Sequence, residues 1–269
     1  MARAPIITLT TDFGTNDHFV GAIKGVLLGT TPDATIIDIS HAVQPFDILD
    51  GSITISQAYS YFPSGTVHMV IVDPGVGSVR RPIIMTGDRH QFVAPDNGVL
   101  SLIYDREERI SVRHVTAEHY FLPSPSNTFH ARDIFAPVAA YLAKGIEPHR
   151  FGEEITDYVR FAAPRPKPVD ERTLRGVVLK VDRFGNLITN ITPQDAPKLF
   201  EPTPPAFQIA IGKGQVTRIC SNYAEGAPGE VFGILDSMGV LEIATNRGSA
   251  YQLLSAGKGS EVNVVMESR

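Results

Sequence analysis

Val67-His68-Met69-Val70-Ile71-Val72-Asp73-Pro74-Gly75-Val76-Gly77-Ser78-Val79-Arg80-Arg81 is the stretch that decides the fold. Residues 67–72 are mainly β-branched and apolar, which predicts a buried strand. That strand delivers Asp73 at its carboxyl end. Pro74, Gly75 and Gly77 then make a bent loop whose backbone can approach a ligand closely. Arg80, seven positions after Asp73, can fold back onto the carboxylate. Asp-Pro-Gly also fits a tight turn with no further purpose, so the loop acquires a functional reading only through support from elsewhere.

Outward from that strand, residues 6–10 and 35–39 are similar short runs, each leading into Thr, Asp or Ser. Helical patterns over 19–28 and 48–61 lie between them, which predicts βαβ units and a largely parallel sheet. In such a sheet ligands bind at the carboxyl edge, so Thr10-Thr11-Asp12 should come near Asp73. Strands are predicted over 83–86 and 91–93, a turn at Pro95-Asp96-Asn97-Gly98, and helices over 99–104 and 131–144. Residues 162–173 hold three prolines and no apolar periodicity, which reads as an extended linker. The expected organisation is an α/β fold: an N-terminal α/β domain over 1–162, a linker over 163–173, and a smaller all-β, barrel-like domain over 174–269. Strands of the last are expected at 176–181, 187–191, 207–211, 231–234, 241–244 and 262–265.

The chain has 269 residues, 43% hydrophobic and 20% charged, which is the composition of an ordinary globular protein. Its net charge of -5 comes with scattered basic residues, so a nucleic-acid partner is not expected. One cysteine, Cys220, permits neither an intrachain disulfide nor a cysteine-based zinc site and suits a reducing cytoplasm. No apolar run has membrane-spanning length, and the strand expected from Ile6 leaves no room for a signal peptide's apolar region. A cytoplasmic location and no membrane partner are therefore expected.

Three further clusters can carry chemistry. Thr10-Thr11-Asp12-Phe13-Gly14-Thr15-Asn16-Asp17-His18 joins the first strand to the first helix. Asp12 is placed to accept the hydroxyls of a ribose, whereas Asp17 reads equally as a ligand or as a helix cap. Asn127-Thr128-Phe129-His130-Ala131-Arg132-Asp133 sets His130 at a helix start, where the dipole favours neutral imidazole, although a polar helix-start residue needs no such role. Asp182-Arg183-Phe184-Gly185-Asn186 reads as a hairpin turn whose Asp182, Phe184 and Asn186 could clasp an ammonium, a carboxylate and an apolar surface. Asp236-Ser237-Met238-Gly239 and Thr245-Asn246-Arg247-Gly248-Ser249 are two more turns open to either reading. Metal-ligand spacings, a Gly-x-Ser-x-Gly elbow and a phosphate-binding glycine loop are all missing, so neither a metal nor another cofactor is expected.

Together these blocks, with Phe129-His130-Ala131-Arg132-Asp133-Ile134-Phe135-Ala136-Pro137, resemble the S-adenosylmethionine hydroxide adenosyltransferase family, relatives of the fluorinase and chlorinase enzymes. The resemblance implies attack of water on C5′ of S-adenosylmethionine, giving adenosine and L-methionine. It also implies a homotrimer whose site lies between one subunit's N-terminal domain and a neighbour's C-terminal domain. By motif, the catalytic set falls on Asp73, Arg80 and His130, with Arg81 as rival for the arginine role. Ribose contacts fall on Asp12 and Asp17, and methionine contacts on Asp182, Phe184 and Asn186. Phe46 is a candidate nucleoside wall, and Phe129, Ser237 and Asn246 complete the expected binding set. Halogenating relatives replace the Asp73 carboxylate by an aromatic, so its presence favours water over halide. Ala131 departs from the glycine of many hydrolytic members.

Overall fold

Strand Ile6–Thr11 (β1) is enclosed because parallel neighbours take both of its edges: Thr35–Ser40 (β2) on one side and Val67–Ile71 (β3) on the other. Helix Phe19–Thr30 (α1) makes the crossover to β2, and Ile48–Ala58 (α2) returns the chain past β1 to β3. The first crossover carries the chain to one side of β1, and the second brings it back to the other. Their divergence opens a crevice beyond the carboxyl ends of β1 and β3.

The computed structural model describes residues 4–266, which fall into two compact units, one ending at Ala163 and one beginning at Pro164. In the first, Pro82–Thr86 (β4), Gln91–Pro95 (β5), Ser111–His114 (β6) and Glu154–Ile155 (β7) complete a seven-stranded sheet in the order β2-β1-β3-β5-β4-β6-β7. The pairings among β2, β1, β3 and β5 are parallel, and those of β4 with β5, β6 with β4 and β7 with β6 are antiparallel. The sheet is thus mixed, and the expectation of a largely parallel one holds only in part. The physical reason is the short connection from β4 to β5, too brief for a crossover, which forces a hairpin.

Both faces of this sheet are covered. Ile7, Leu9, Ile23, Leu27, Met69 and Phe135 share one apolar core with helix Ala136–Ala143 (α4), and Ile55, Val70, Val72, Phe92 and Ile103 share another with α2 and helix Ser101–Tyr104 (α3). The Asp47 carboxylate caps α2 by accepting the Asp50 N–H at 3.0 Å. Gly51 lets α2 lie close on the sheet, since a Cβ there would stand 2.8 Å from Val72 Cγ2.

In the second unit, Lys167–Pro168 (β8), Thr173–Val181 (β9), Leu187–Thr189 (β10), Phe207–Ile211 (β11), Gly214–Val216 (β12), Ile219–Cys220 (β13), Val231–Leu235 (β14), Leu241–Thr245 (β15) and Glu261–Met266 (β16) form a nine-stranded sheet. It curls into a half-barrel, and every pairing is antiparallel except β13 with β14. Helix Ala250–Leu254 (α5) packs Ala250 and Leu254 into its core, so the unit is not wholly β. Two residues of the expected linker, β8, pair with Leu174 and Arg175 of β9.

Candidate active site

Asp73 stands two residues beyond β3, at the crevice, and Arg80 returns to it. Arg80 Nε donates to both Asp73 oxygens at 3.0 Å, and Nη2 donates to Oδ2 at 2.6 Å. The same Nη2 lies 2.8 Å from His130 Nδ1. Both charged side chains are nearly sealed, 5% exposed for Asp73 and 8% for Arg80. An arginine has only donors, so His130 Nδ1 must be the acceptor, and the neutral ring carries its proton on Nε2. Arg80 stacks its guanidinium over Phe135, 5.1 Å from the ring centre, while its Nη1 is buried without a partner among the described residues.

Gly77 sets the loop's place. Its φ of +77° is left-handed, and a Cβ there would stand 2.2 Å from the Asn127 carbonyl oxygen. The absent side chain lets the Asp73 loop seat directly on the segment leading to His130.

His130 precedes a single π-helical turn, Ala131–Phe135, in which Ala136 N–H bonds Ala131 O, and α4 follows. The sequence predicts a plain helix from 131; the wider turn re-aims His130 relative to the axis of α4. Burial is the main cause lowering the His130 pKa, the Arg80 charge adds to it, and Asp73 and Asp133 oppose. Neutrality thus rests on desolvation and a neighbouring cation, where the sequence reading invoked the helix dipole. Asp133 braces the turn: burial alone would raise its carboxyl, but Arg132 and the Ser126 N–H hold it below the usual value.

Asp12 lies one residue past β1, and its Oδ2 accepts the Phe46 N–H at 2.8 Å. Burial raises its pKa, the Phe46 and its own backbone N–H groups oppose, and the Asp73 charge adds to the rise. Phe46 adopts a left-handed φ of 67° and leaves its ring 73% exposed. A non-glycine residue held there stores backbone strain. Asp17 is exposed and does not cap α1; His18 holds the cap position, with no side-chain bond.

A cavity of about 130 Å³ is lined by the polar Asp73, Thr128 and His130 together with the apolar Phe13, Phe19, Ile71, Val76, Phe129 and Ala131. Phe19 and Phe129 meet edge to face at 5.2 Å, and Phe13 meets Phe129 at 6.1 Å. Phe13 and Phe19 are walls that sequence reasoning did not single out, since a phenylalanine opening a helix carries no sign of whether it faces core or cavity. Arg81 is committed elsewhere, to Asp96 at 2.7 Å and Asp157 at 2.8 Å.

In the second unit, Asp182 Oδ1 accepts the N–H groups of Phe184 and Asn186 at 2.9 and 2.8 Å, and Asn186 Nδ2 donates to Oδ2 at 3.0 Å. The hairpin therefore uses Asp182 and Asn186 in its own construction and thrusts Phe184 outward, 76% exposed. Asn246 Nδ2 donates to Gly226 O at 2.9 Å, and Ser237 is exposed in the turn that Asp236 closes by accepting the Met238 and Val240 N–H groups. Glu242 is buried beside Tyr223, whose hydroxyl donates to it at 2.9 Å, and burial pushes its carboxyl up to about 7. Among the described residues no three of His, Cys, Asp and Glu converge as a metal-binding group, and no helix is long and apolar enough to cross a membrane.

Residues 7–152 match the model of the SAM hydroxide adenosyltransferase N-terminal domain, and residues 176–263 match that of the C-terminal domain. A Salinispora tropica protein named (R)-S-adenosyl-L-methionine hydrolase is 36% identical over 270 residues, covering 98% of this chain and 99% of its own. A fluorinase of an Actinoplanes species is 31% identical over 220 residues, covering 72% of this chain and 74% of its own. An uncharacterized conserved protein from Thermotoga maritima superposes with a TM-score of 0.89 at 36% identity, over 96% of this chain and 99% of its own.

Proposed function

This chain belongs to the SAM hydroxide adenosyltransferase family, and from that premise we propose that it is a hydrolase of S-adenosyl-L-methionine, releasing adenosine and L-methionine. The observation that carries the reading is Arg80, joined to both Asp73 and His130 at the rim of an aromatic-walled cavity. Water attacks C5′ in line with the sulfonium; the C5′–O bond forms as the C5′–S bond breaks, and its electron pair goes to sulfur. Methionine departs as a neutral thioether and needs no acid.

The water's proton goes to Asp73. His130 has its Nδ1 lone pair directed at Arg80, so it acts through Nε2–H, a donor that fixes the water oxygen. Arg80 holds the carboxylate in place and offers a positive field to the hydroxide-like charge that develops. Cancellation of that charge against the sulfonium is favoured where phenylalanines exclude bulk water. A carboxylate at the cavity also repels halide, which distinguishes this site from a halogenating one. Asp12 and Asp17 take the ribose hydroxyls, and Phe46 and Phe129 flank the nucleoside.

We assign the methionine end to Asp182, Phe184, Asn186, Ser237 and Asn246 of a neighbouring copy in a homotrimer. The exposure of the Phe46 and Phe184 rings supports such burial between copies. A cytoplasmic location fits the lone Cys220. Turnover of S-adenosyl-L-methionine in oxygen-18 water tests the reaction: label is expected in the adenosine 5′-hydroxyl, and label in methionine or in neither product rejects attack at C5′. Sedimentation of the intact protein at three times the chain mass is expected for the trimer.

A further inference from the structure

We propose that His41 is a positioning residue for nucleoside binding, holding the Thr11-Asp12-Phe13 segment through the Thr11 hydroxyl. This rests on the reading of Asp12 as the ribose ligand. His41 follows β2 directly and is buried, with only 6% exposure, although it touches neither the cavity nor any group assigned to the chemistry. Its Nδ1 lies 2.8 Å from Thr11 Oγ1. Its Nε2 lies 3.1 Å from Asp38 Oδ1, a close approach whose angle falls short of a good hydrogen bond, and Asp38 in turn receives Lys24 at 2.6 Å.

Asp38 carries a lowered pKa: burial would raise it, but Lys24 and His41 overcome that, so it is a carboxylate and only accepts. His41 turns Nε2 toward the Asp38 carboxylate and Nδ1 toward the Thr11 hydroxyl. The Thr11 hydroxyl shares a hydrogen bond with Nδ1, and its oxygen accepts the Phe13 N–H at 3.3 Å. A chain of contacts thus runs from Asp38 through His41 and Thr11 to the backbone of Phe13.

The backbone reinforces it. Gly14 N–H donates to His41 O at 2.8 Å, and Val43 N–H reaches toward Thr11 O at 3.4 Å. With Asp12 Oδ2 on Phe46 N–H, residues 11–14 are laced to residues 41–46 from both sides of Asp12. The Asp12 carboxylate and the Phe13 ring stand on this lacing, and a hydroxyl buried at Thr11 has no reason to be polar except to make it. Ribose held by Asp12 is held equally in the ground state and the transition state, so loosening the strap raises KM and leaves kcat nearly unchanged.

The test compares His41→Ala, His41→Asn, Thr11→Val and Thr11→Ser for KM and kcat on S-adenosyl-L-methionine and for adenosine affinity by calorimetry. His41→Ala and Thr11→Val are expected to raise KM and weaken adenosine binding by about tenfold, the scale of one buried hydrogen bond lost. Asn places an acceptor near the Nδ1 position, and Ser keeps the hydroxyl, so both should restore KM to within about threefold of the parent. The double variant His41→Ala/Thr11→Val should be no worse than the poorer single one, because the two remove the same link. A merely structural role would lower thermal stability and the active fraction while leaving KM alone. Unchanged KM in His41→Ala and Thr11→Val, additive losses, or Asn behaving as Ala would overturn the proposal. Should His41→Ala fail to fold, the Thr11 pair decides. Failure of the parent protein to turn over S-adenosyl-L-methionine would instead strike the proposed function, and the adenosine affinities would still report on His41.

Discussion

Imidazoles are held toward the neutral form at both edges of the seven-stranded sheet, and their surroundings differ in kind. At the carboxyl edge, His130 meets Arg80 and Asp73 beside a cavity. At the amino edge, His68 of β3 and His90, just before β5, lie with ring centres 5.0 Å apart among Tyr59, Phe62 and Phe92. His68 Nδ1 meets Thr8 Oγ1 at 2.7 Å, whereas His68 Nε2 and both nitrogens of His90 have no partner among the described residues. Burial pushes His68 down to about 3, with His90 adding to it. The more strongly perturbed histidine is thus the one with no access and no charged partner. A depressed imidazole marks desolvation; chemistry requires in addition a carboxylate, a cation and an opening.

The largest effect that would break this contrast is expected at Asp73. Asp73→Asn should lower kcat by about 100-fold to 10,000-fold, the range of general-base assistance, while binding of S-adenosyl-L-methionine persists. At the other edge, His90→Phe removes two unpartnered nitrogens and offers a ring of similar size, so it should leave kcat unchanged and cost no stability. Steady-state kinetics and urea midpoints on both variants check the pair. Full turnover in Asp73→Asn, or a large kcat loss in His90→Phe, would erase the distinction between the edges.

The next effect is on stability and is read through pH. The folded-state pKa of His68, about 3, lies below the ordinary value of 6.5, so between those values the unfolded chain binds the proton and the folded chain does not. Stability from this group is fully present above pH 6.5 and falls as the pH drops toward 3, at up to about 1.4 kcal/mol per pH unit. His90, lowered by burial and by Arg89 with Glu107 opposing, adds to the same acid limb. Urea midpoints measured from pH 7 to pH 4 should decline, and His90→Phe should decline less. Equal slopes would mean that the aromatic cluster is not what acid attacks.

The same physics explains what could be read in the sequence. The run ending at Asp73, the glycines after it and the polar start before α4 are local signals, and parallel strands sharing an edge bring Asp12 toward Asp73, whereas His130 was joined to Asp73 and Arg80 only through the family resemblance. The antiparallel half was hidden, because runs such as residues 83–86 and 91–93 announce strands without announcing their direction. Ser111–His114 and Glu154–Ile155 are too short and too polar to show a period at all. The π turn after His130 adds one residue to a helical pattern that looks unbroken. His41 carries no local signature, since its importance comes from Thr11, thirty positions away. The Asp182 hairpin was legible as a turn, but the carboxylate's service to the loop's own N–H groups was not.

The smallest effect separates two adjacent arginines. Arg80 and Arg81 follow one loop, but successive residues of an extended segment point to opposite faces, and Arg81 is directed away from the crevice. It bonds Asp96, whose other oxygen accepts the Val159 N–H at 2.7 Å, and so ties residues 157–159 to the turn after β5. Asp96 is buried at its carboxylate while Arg81 keeps a quarter of its surface in water, so the pair is worth less than a sealed one. Arg81→Met should cost about 1–2 kcal/mol by leaving the Asp96 carboxylate with a backbone donor but no cation. Turnover per folded molecule should stay within about twofold of the parent, because no group at the crevice leans on Arg81. Arg80→Met, by contrast, strands Asp73 without a cation and removes the donor to His130, so kcat should collapse with it. If Arg81→Met lost turnover to the same degree as Arg80→Met, the loop would be acting as one unit, and the division of labour between its two guanidinium groups would have to be abandoned.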